Sequence, residues 1–263
     1  STLAQNLIYL DGSPLRFEGL NFMPFLIDCN AERSMFMTGR QVGKSTILGS
    51  KSISRMAAIP NHGILYVAPR MDQVAEFSKA KLNSMMRGSP MIQAHYVDSS
   101  VQQQARSKEF TNGSAIVLRS CYLSPDGIRG ITANDIYIDE VQDIILENIP
   151  VIEECSSRKS YRSIIYTGTP KTYDNTIQKK WEESSQHYWA VKCTHCGHWN
   201  VPLGFDNIGD EYLQCKQCKK PLDARIGREF SYIPQDSLLF PWWNVIENTI
   251  LPLKISDISI DVI

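Results

Sequence analysis

An α/β fold, with a mainly parallel sheet covered by flanking helices, is predicted for this 263-residue chain by three observations. Short apolar runs rich in β-branched residues recur at residues 34–38, 64–68, 115–118, 136–138 and 163–167. Most are separated by stretches long enough for a crossover helix, which parallel strands require. The runs are nearly continuous in their apolar character, as strands buried on both faces are.

Taken in order, residues 1–28 read as a lead-in, 29–188 as the α/β core, 189–222 as a small cysteine-bearing module and 223–263 as a tail. Lys44–Met56 and Asp72–Met86 carry the best helical patterns. Asp72 is placed to cap the second, and Gly88-Ser89-Pro90 to end it. Asn112-Gly113, between two strand-like runs, is a hairpin signal.

A hydrophobic content of 43% is enough for a substantial core. No run of about 18 apolar residues occurs, and the N-terminus lacks a basic flank before an apolar segment. A soluble, intracellular chain with no membrane partner is expected. The formal charge of −1 excludes a polycation, yet the charge is placed unevenly. Residues 33–71 contain Arg33, Arg40, Lys44, Lys51, Arg55 and Arg70 and no acid, whereas residues 131–157 contain only acids, among them Asp139 and Glu140.

The basic stretch holds MFMTGRQVGKST, residues 35–46, a strand-like run entering a turn that ends Gly43-Lys44-Ser45. Backbone N–H groups of such a turn, followed by a helix N-terminus, cradle phosphate oxygens. Thr38, Gly39, Arg40, Gln41, Val42, Gly43, Lys44, Ser45 and Thr46 are the candidate nucleotide-binding residues. Lys44 is suited to reach the β- and γ-phosphates, and the Ser45 hydroxyl to ligate Mg²⁺.

NDIYIDEVQD supplies the matching acidic half. Asp139 ends a buried run and is a candidate Mg²⁺ carboxylate; Glu140 is the candidate base for the attacking water. Together the two motifs predict a P-loop NTPase of the ASCE, RecA-like type that uses ATP and Mg²⁺. The run at 163–167 ends in Gly168-Thr169-Pro170, and a Thr169 hydroxyl there could sense the γ-phosphate.

Cys193-x₂-Cys196 and Cys215-x₂-Cys218 are separated by residues 197–214, within the roughly 15- to 20-residue spacing of a four-cysteine zinc ribbon. Four thiolates close a tetrahedral structural Zn²⁺ site, leaving His195 and His198 without a ligand role. Cys29, Cys121 and Cys155 have no such spacing and read as core residues. Lys192, Lys216, Lys219 and Lys220 around the ribbon suit either phosphate contact or a solvated surface.

These residues resemble the ATPase motor of the large terminase subunit of tailed bacteriophages, nearest the lambda-type branch. The resemblance rests on Gly39 to Thr46, Gly127-Ile128-Arg129-Gly130, Ile136 to Gln142 and Thr167 to Pro170, and it spans roughly residues 22–243. It explains why Thr38 stands where the common phosphate loop has glycine and why Arg40 lies inside the loop. It implies that Arg40 approaches the γ-phosphate like an arginine finger supplied in cis, the alternative being a tie to a carboxylate elsewhere. Further implications are a strand-to-helix turn at Tyr66 to Pro69 with Gln73, and Arg129 near nucleotide or DNA.

The implied activity is ATP hydrolysis coupled to translocation of double-stranded DNA into a procapsid. The implied partners are DNA, a small terminase subunit, a portal protein and further copies of the chain in a ring, all in the host cytoplasm. A full terminase continues into a nuclease domain for which residues 223–263 leave no room, so no DNA cleavage is expected of this chain. Two other readings stand beside this one: a helicase-like ATPase, which would need a second lobe, and a zinc-ribbon binding module on an inactive ATPase.

Overall fold

The computed structural model describes residues 1–17, 22–40, 42–172, 174–188, 190–209 and 212–222. The chain forms two compact units. One comprises Ser1–Met37 and Gly43–Lys180; the other comprises Thr38–Val42 and the chain from Trp181 onward. The predicted tail at 223–263, the boundary residue Trp189 and the loop residue Gln41 lie outside the described residues.

The first unit opens with helix α1 (Thr2–Leu7), a short antiparallel pair β1 (Tyr9–Leu10) and β2 (Ser13–Pro14), and helix α2 (Phe22–Asp28). Strand β3 (Arg33–Met37) leads toward α3 (Lys44–Ala58), and β4 (Gly63–Ala68) follows. Next come α4 (Met71–Glu76), a π-helical stretch at Phe77–Asn83, α5 (Ser84–Gly88) and α6 (Pro90–Tyr96). The remaining elements of this unit are β5 (Gln103–Gln104), β6 (Ser107–Glu109), β7 (Ala115–Ser120), β8 (Asp135–Ile138), α7 (Ile149–Glu154), β9 (Ser163–Gly168) and α8 (Thr176–Glu182), whose last two residues belong to the second unit.

Seven strands make one sheet in the order β3-β9-β8-β4-β7-β6-β5. The first five run parallel, and β6 and β5 are antiparallel additions at the edge. The predicted hairpin joins β6 to β7. Gly113 there has φ +81°, a left-handed conformation that glycine adopts without penalty.

Alternate residues of the central strands enter opposite cores. Ile64, Tyr66, Ala68, Tyr137 and Ile165 join Leu48, Ile53 and Met56 of α3 on one face. Leu65, Val67, Ile136, Ile138, Ile164 and Tyr166 join Ile149, Ile152 and Ile177 on the other. Each buried side chain of this size contributes about 1.5 to 3 kcal/mol of transfer free energy, which explains the unbroken apolar runs in the sequence. Ala4, Ile8, Leu15, Phe17, Met23 and Ile27 of the lead-in belong to the first of these cores.

Two sequence expectations are corrected at the second helix. It is capped by Arg70, whose backbone N–H donates to Gln73 Oε1 at 3.0 Å, while Asp72 sits inside the first turn. Its middle is π-helical, a one-residue widening that a 3.6-residue pattern does not register.

Buried polar residues fix the orientation of these elements. Lys51 of α3, 2% exposed, donates to the carbonyls of Ile27 (2.7 Å) and Cys29 (2.5 Å) and so anchors the C-terminal end of α2. Burial, and then the neighbouring Arg55, lower its pKa to about 8. At the start of β8 the buried Asp135 meets Arg55 Nε at 3.3 Å, His62 Nε2 at 3.1 Å and the Tyr137 hydroxyl at 2.9 Å. No helix among the described residues is long and apolar enough to cross a membrane.

Candidate functional site

The glycine adjoining the lysine of the candidate phosphate loop is demanded twice over. Gly43 has φ +81°, and a Cβ there would lie 2.2 Å from Met23 Cε of α2. Gly43 is also the N-cap of α3 and supplies no capping side chain, so the first-turn N–H groups remain available to an anion. Lys44 is the first residue of α3, with Ser45 and Thr46 in the same turn, each partly exposed. In the second unit Arg40 is exposed, Gly39 and Val42 are buried, and the Thr38 hydroxyl lies 3.5 Å from the Gly39 carbonyl oxygen.

Lys44 Nζ donates to Thr169 Oγ1 at 2.7 Å and lies 4.0 Å from Glu140 Oε1. Thus Lys44, Glu140 and Thr169, read separately from three stretches of sequence, converge. They do so because β9 lies between β3 and β8, so the carboxyl ends of all three strands open on one edge of the sheet.

Asp139 follows the fully buried β8 and is itself 4% exposed. Its Oδ2 accepts from the Tyr66 hydroxyl at 2.9 Å; its Oδ1 accepts from the Thr167 hydroxyl at 2.5 Å and from the Glu140 N–H at 3.0 Å. Burial raises its pKa, with the Glu140 charge adding to that and the Thr167 and Tyr66 hydrogen bonds opposing it. Burial likewise lifts the Tyr66 phenol well above its usual value, keeping it a proton donor. The Tyr66 ring is fixed by stacking on Phe77, with centroids 3.9 Å apart and planes 3° from parallel.

Glu140 has left-handed backbone angles, φ +49° and ψ 44°, unusual for a residue with a side chain. Gln142 Nε2 donates to its Oε2 at 2.5 Å. The oxygen donors gathered here, a buried carboxylate and hydroxyls, suit a hard divalent cation, whose charge would relieve the cost of burying Asp139.

Sequence reading missed Tyr66, Thr167 and Gln142 as site residues. Thr167 and Gln142 stand within motifs that were recognised, so their positions were a signal. Tyr66 stands in the strand-to-helix turn that the resemblance implied, but nothing in the sequence marked its hydroxyl as a partner of Asp139.

The second unit holds the cysteine cluster. Its short antiparallel pair, β10 (Val191–Lys192) and β11 (Trp199–Asn200), presents the first Cys-x₂-Cys turn. The Sγ atoms of Cys193, Cys196, Cys215 and Cys218 all lie within 4.8 Å of one another. Cys193–Cys218 and Cys196–Cys215 are 3.7 Å apart, against about 3.8 Å for a tetrahedron with Zn–S bonds of about 2.3 Å. Burial pushes the Cys215 thiol up, but the N–H groups of Cys218 and Gln217 draw it down to about 6. His195 is exposed and His198 half-buried, and neither belongs to the cluster. Asn200 Nδ2 lies 3.7 Å from Cys215 Sγ, an outer contact of the kind that orients metal ligands.

Residues 20–226 match the family model described as phage terminase large subunit gpA, ATPase domain. The large terminase ATPase domain of Thermus phage P74-26 is similar over 66% of this chain and 75% of that one, with 18% identity and a TM-score of 0.53. The large terminase of bacteriophage HK97 is similar over 69% of this chain, with 13% identity and a TM-score of 0.54. The match covers 39% of that terminase. At such identities these likenesses establish the shared fold. No curated protein matches the chain.

Proposed function

The chain belongs to the phage terminase large subunit family, as its gpA-type ATPase domain, and from that premise we propose that it hydrolyses ATP to drive double-stranded DNA into a procapsid in the host cytoplasm. The observation that carries this reading is the convergence of Lys44, Glu140 and Thr169 at the carboxyl edge of the sheet.

On ATP binding, Lys44 exchanges Thr169 for β- and γ-phosphate oxygens, a stronger charge-assisted partner. The first-turn N–H groups of α3 receive the remaining phosphate oxygens. Ser45 and Asp139 would hold Mg²⁺, which would neutralise charge developing on the phosphates. Tyr66 and Thr167 orient Asp139 for that task. Glu140 accepts the proton of the attacking water, and Arg40 stabilises the transferring phosphoryl group in cis. Cys193, Cys196, Cys215 and Cys218 hold one structural Zn²⁺.

A stretch of DNA phosphate backbone meets a cleft of about 430 Å³ on the first unit, lined by Met71, Gln104, Arg106, Ser107, Val117, Arg119, Ser120 and Gly127. Neither Arg106 nor Arg119 forms an ion pair among the described residues. The Arg119 guanidinium is directed by the Leu118 carbonyl at 2.9 Å. Two guanidinium groups beside neutral hydroxyl and amide donors suit the phosphodiester backbone and read no sequence. A small terminase subunit, a portal protein and further copies of the chain in a ring complete the motor.

The reading is tested by DNA-stimulated ATP hydrolysis. Glu140→Gln is expected to keep ATP binding and lose turnover by about 10²-fold or more, the scale of a positioned base. Wild-type turnover in that variant would refute the assignment of Glu140.

A further inference from the structure

Gln142 has no part in the mechanism above, yet its side chain joins two components of the site. It is 8% exposed and lies in the 3₁₀ turn Val141–Asp143 directly after Glu140. Its Nε2 donates to Glu140 Oε2 at 2.5 Å, and its Oε1 accepts the backbone N–H of Thr169 at 3.2 Å. One planar amide therefore spans from the candidate base to the end of β9.

We propose that Gln142 is a positioning residue for hydrolysis: its amide ties the Glu140 carboxylate to the turn at Thr169, so the base takes its working position only when that turn has responded to the γ-phosphate. This role rests on the ATPase reading above.

The route follows from the hydrogen bonds. Thr169 Oγ1 accepts from Lys44, and multiply charged phosphate oxygens displace a neutral hydroxyl as the ammonium's partner. Thr169 is then released toward the γ-phosphate or its water. Lys44 and Glu140 form an ion pair at 4.0 Å, too long to direct the carboxylate as a hydrogen bond does. The amide of Gln142 thus carries the change at Thr169 to Glu140.

Two backbone features fit this role. Glu140 is held at φ +49°, outside the conformations a side-chain-bearing residue prefers, and relaxation would swing its carboxylate away. Besides the Gln142 amide, the Asp143 N–H holds this turn by donating to the Glu140 carbonyl at 2.9 Å. Gly168 leaves room for the amide: a Cβ there would lie 2.2 Å from Gln142 Oε1 and 2.8 Å from Ile177 Cδ1. Both are side-chain ends, so an added methyl would displace the amide before it displaced the strand.

Gln142→Ala, and Gln142→Met to keep the side chain's length and the turn's packing, are measured for ATP affinity with a fluorescent analogue and for steady-state hydrolysis with DNA. Both variants are expected to bind ATP within about threefold of wild type and to lose kcat by about 10- to 100-fold, the scale of a misplaced reacting group. Gly168→Ala is expected to lower kcat in the wild-type background and to cost less than about twofold more in Gln142→Ala, because the two changes break the same link. Unchanged kcat in Gln142→Met, or a raised KM alone, overturns the role while leaving the ATPase reading intact. Equal Gly168→Ala penalties in both backgrounds overturn the link through the amide. A wild-type chain that binds ATP and hydrolyses none overturns the ATPase reading itself, and this role with it.

Discussion

Lys44 and Thr169, 125 residues apart in sequence, are joined by a 2.7 Å hydrogen bond from the lysine ammonium to the threonine hydroxyl. The lysine ammonium is therefore held at the carboxyl edge of the sheet by a neutral hydroxyl. Since the side-chain entropy of placing it is already spent, the ammonium is preorganised for its ligand. Lys44→Ala is expected to weaken ATP binding by about 10- to 100-fold, as loss of a charge-assisted contact worth about 1.5 to 3 kcal/mol requires. Titration with a fluorescent ATP analogue measures this, and affinity within twofold of wild type would contradict it.

Asp139 offers a test that depends on pH. Burial raises its carboxyl pKa, so the folded chain binds this proton more tightly than the unfolded chain does. The charged carboxylate therefore weakens the fold progressively as pH rises from the unfolded value through the folded one, and the penalty vanishes as pH falls below both. Asp139→Asn removes it. Without added Mg²⁺ the variant is expected to melt above wild type at pH 8, with the gap closing toward acid, and to hydrolyse no ATP. A gap that widens on acidification would reverse the sign of this account.

The DNA cleft is tested by salt dependence. Replacing Arg106 and Arg119 with alanine removes two candidate phosphate contacts. The slope of log affinity against log salt is expected to fall by about 2, uniformly across DNA sequences, with basal hydrolysis unaltered. An unchanged slope would move the DNA contact elsewhere on the chain.

The cysteine cluster makes a prediction about folding. Purified protein is expected to carry one zinc per chain, and Cys215→Ser to lose it. Because metal binding supplies folding free energy to so small a module, residues 190–222 of the variant should become protease-sensitive while ATP binding persists. Zinc retained at full stoichiometry in the variant would exclude Cys215 as a ligand.

Sequence by itself determined what depends on neighbouring residues. Gly43-Lys44-Ser45 is legible as a candidate phosphate turn because such a turn is contiguous in sequence, and the four cysteines as a candidate metal cluster because each Cys-x₂-Cys pair is local and its spacing characteristic. The strands β4, β8 and β9 were legible because burial on both faces needs continuous apolar runs, and β3 and β7, only partly buried, because they are short β-branched or apolar runs of the same kind. The π-helical stretch was not, since its one-residue widening leaves no separate mark on the apolar pattern.

Tertiary structure decided which of these pieces meet. Placing β9 between β3 and β8 brings Thr169 to Lys44 and Thr167 to Asp139. Placing β4 on the other side of β8 directs the Tyr66 hydroxyl to the same carboxylate. Strand order arises from long-range pairing and from the packing of helices on both faces. The apolar runs that announce each strand do not specify its neighbour, so Tyr66 acquires its polar role only from the fold.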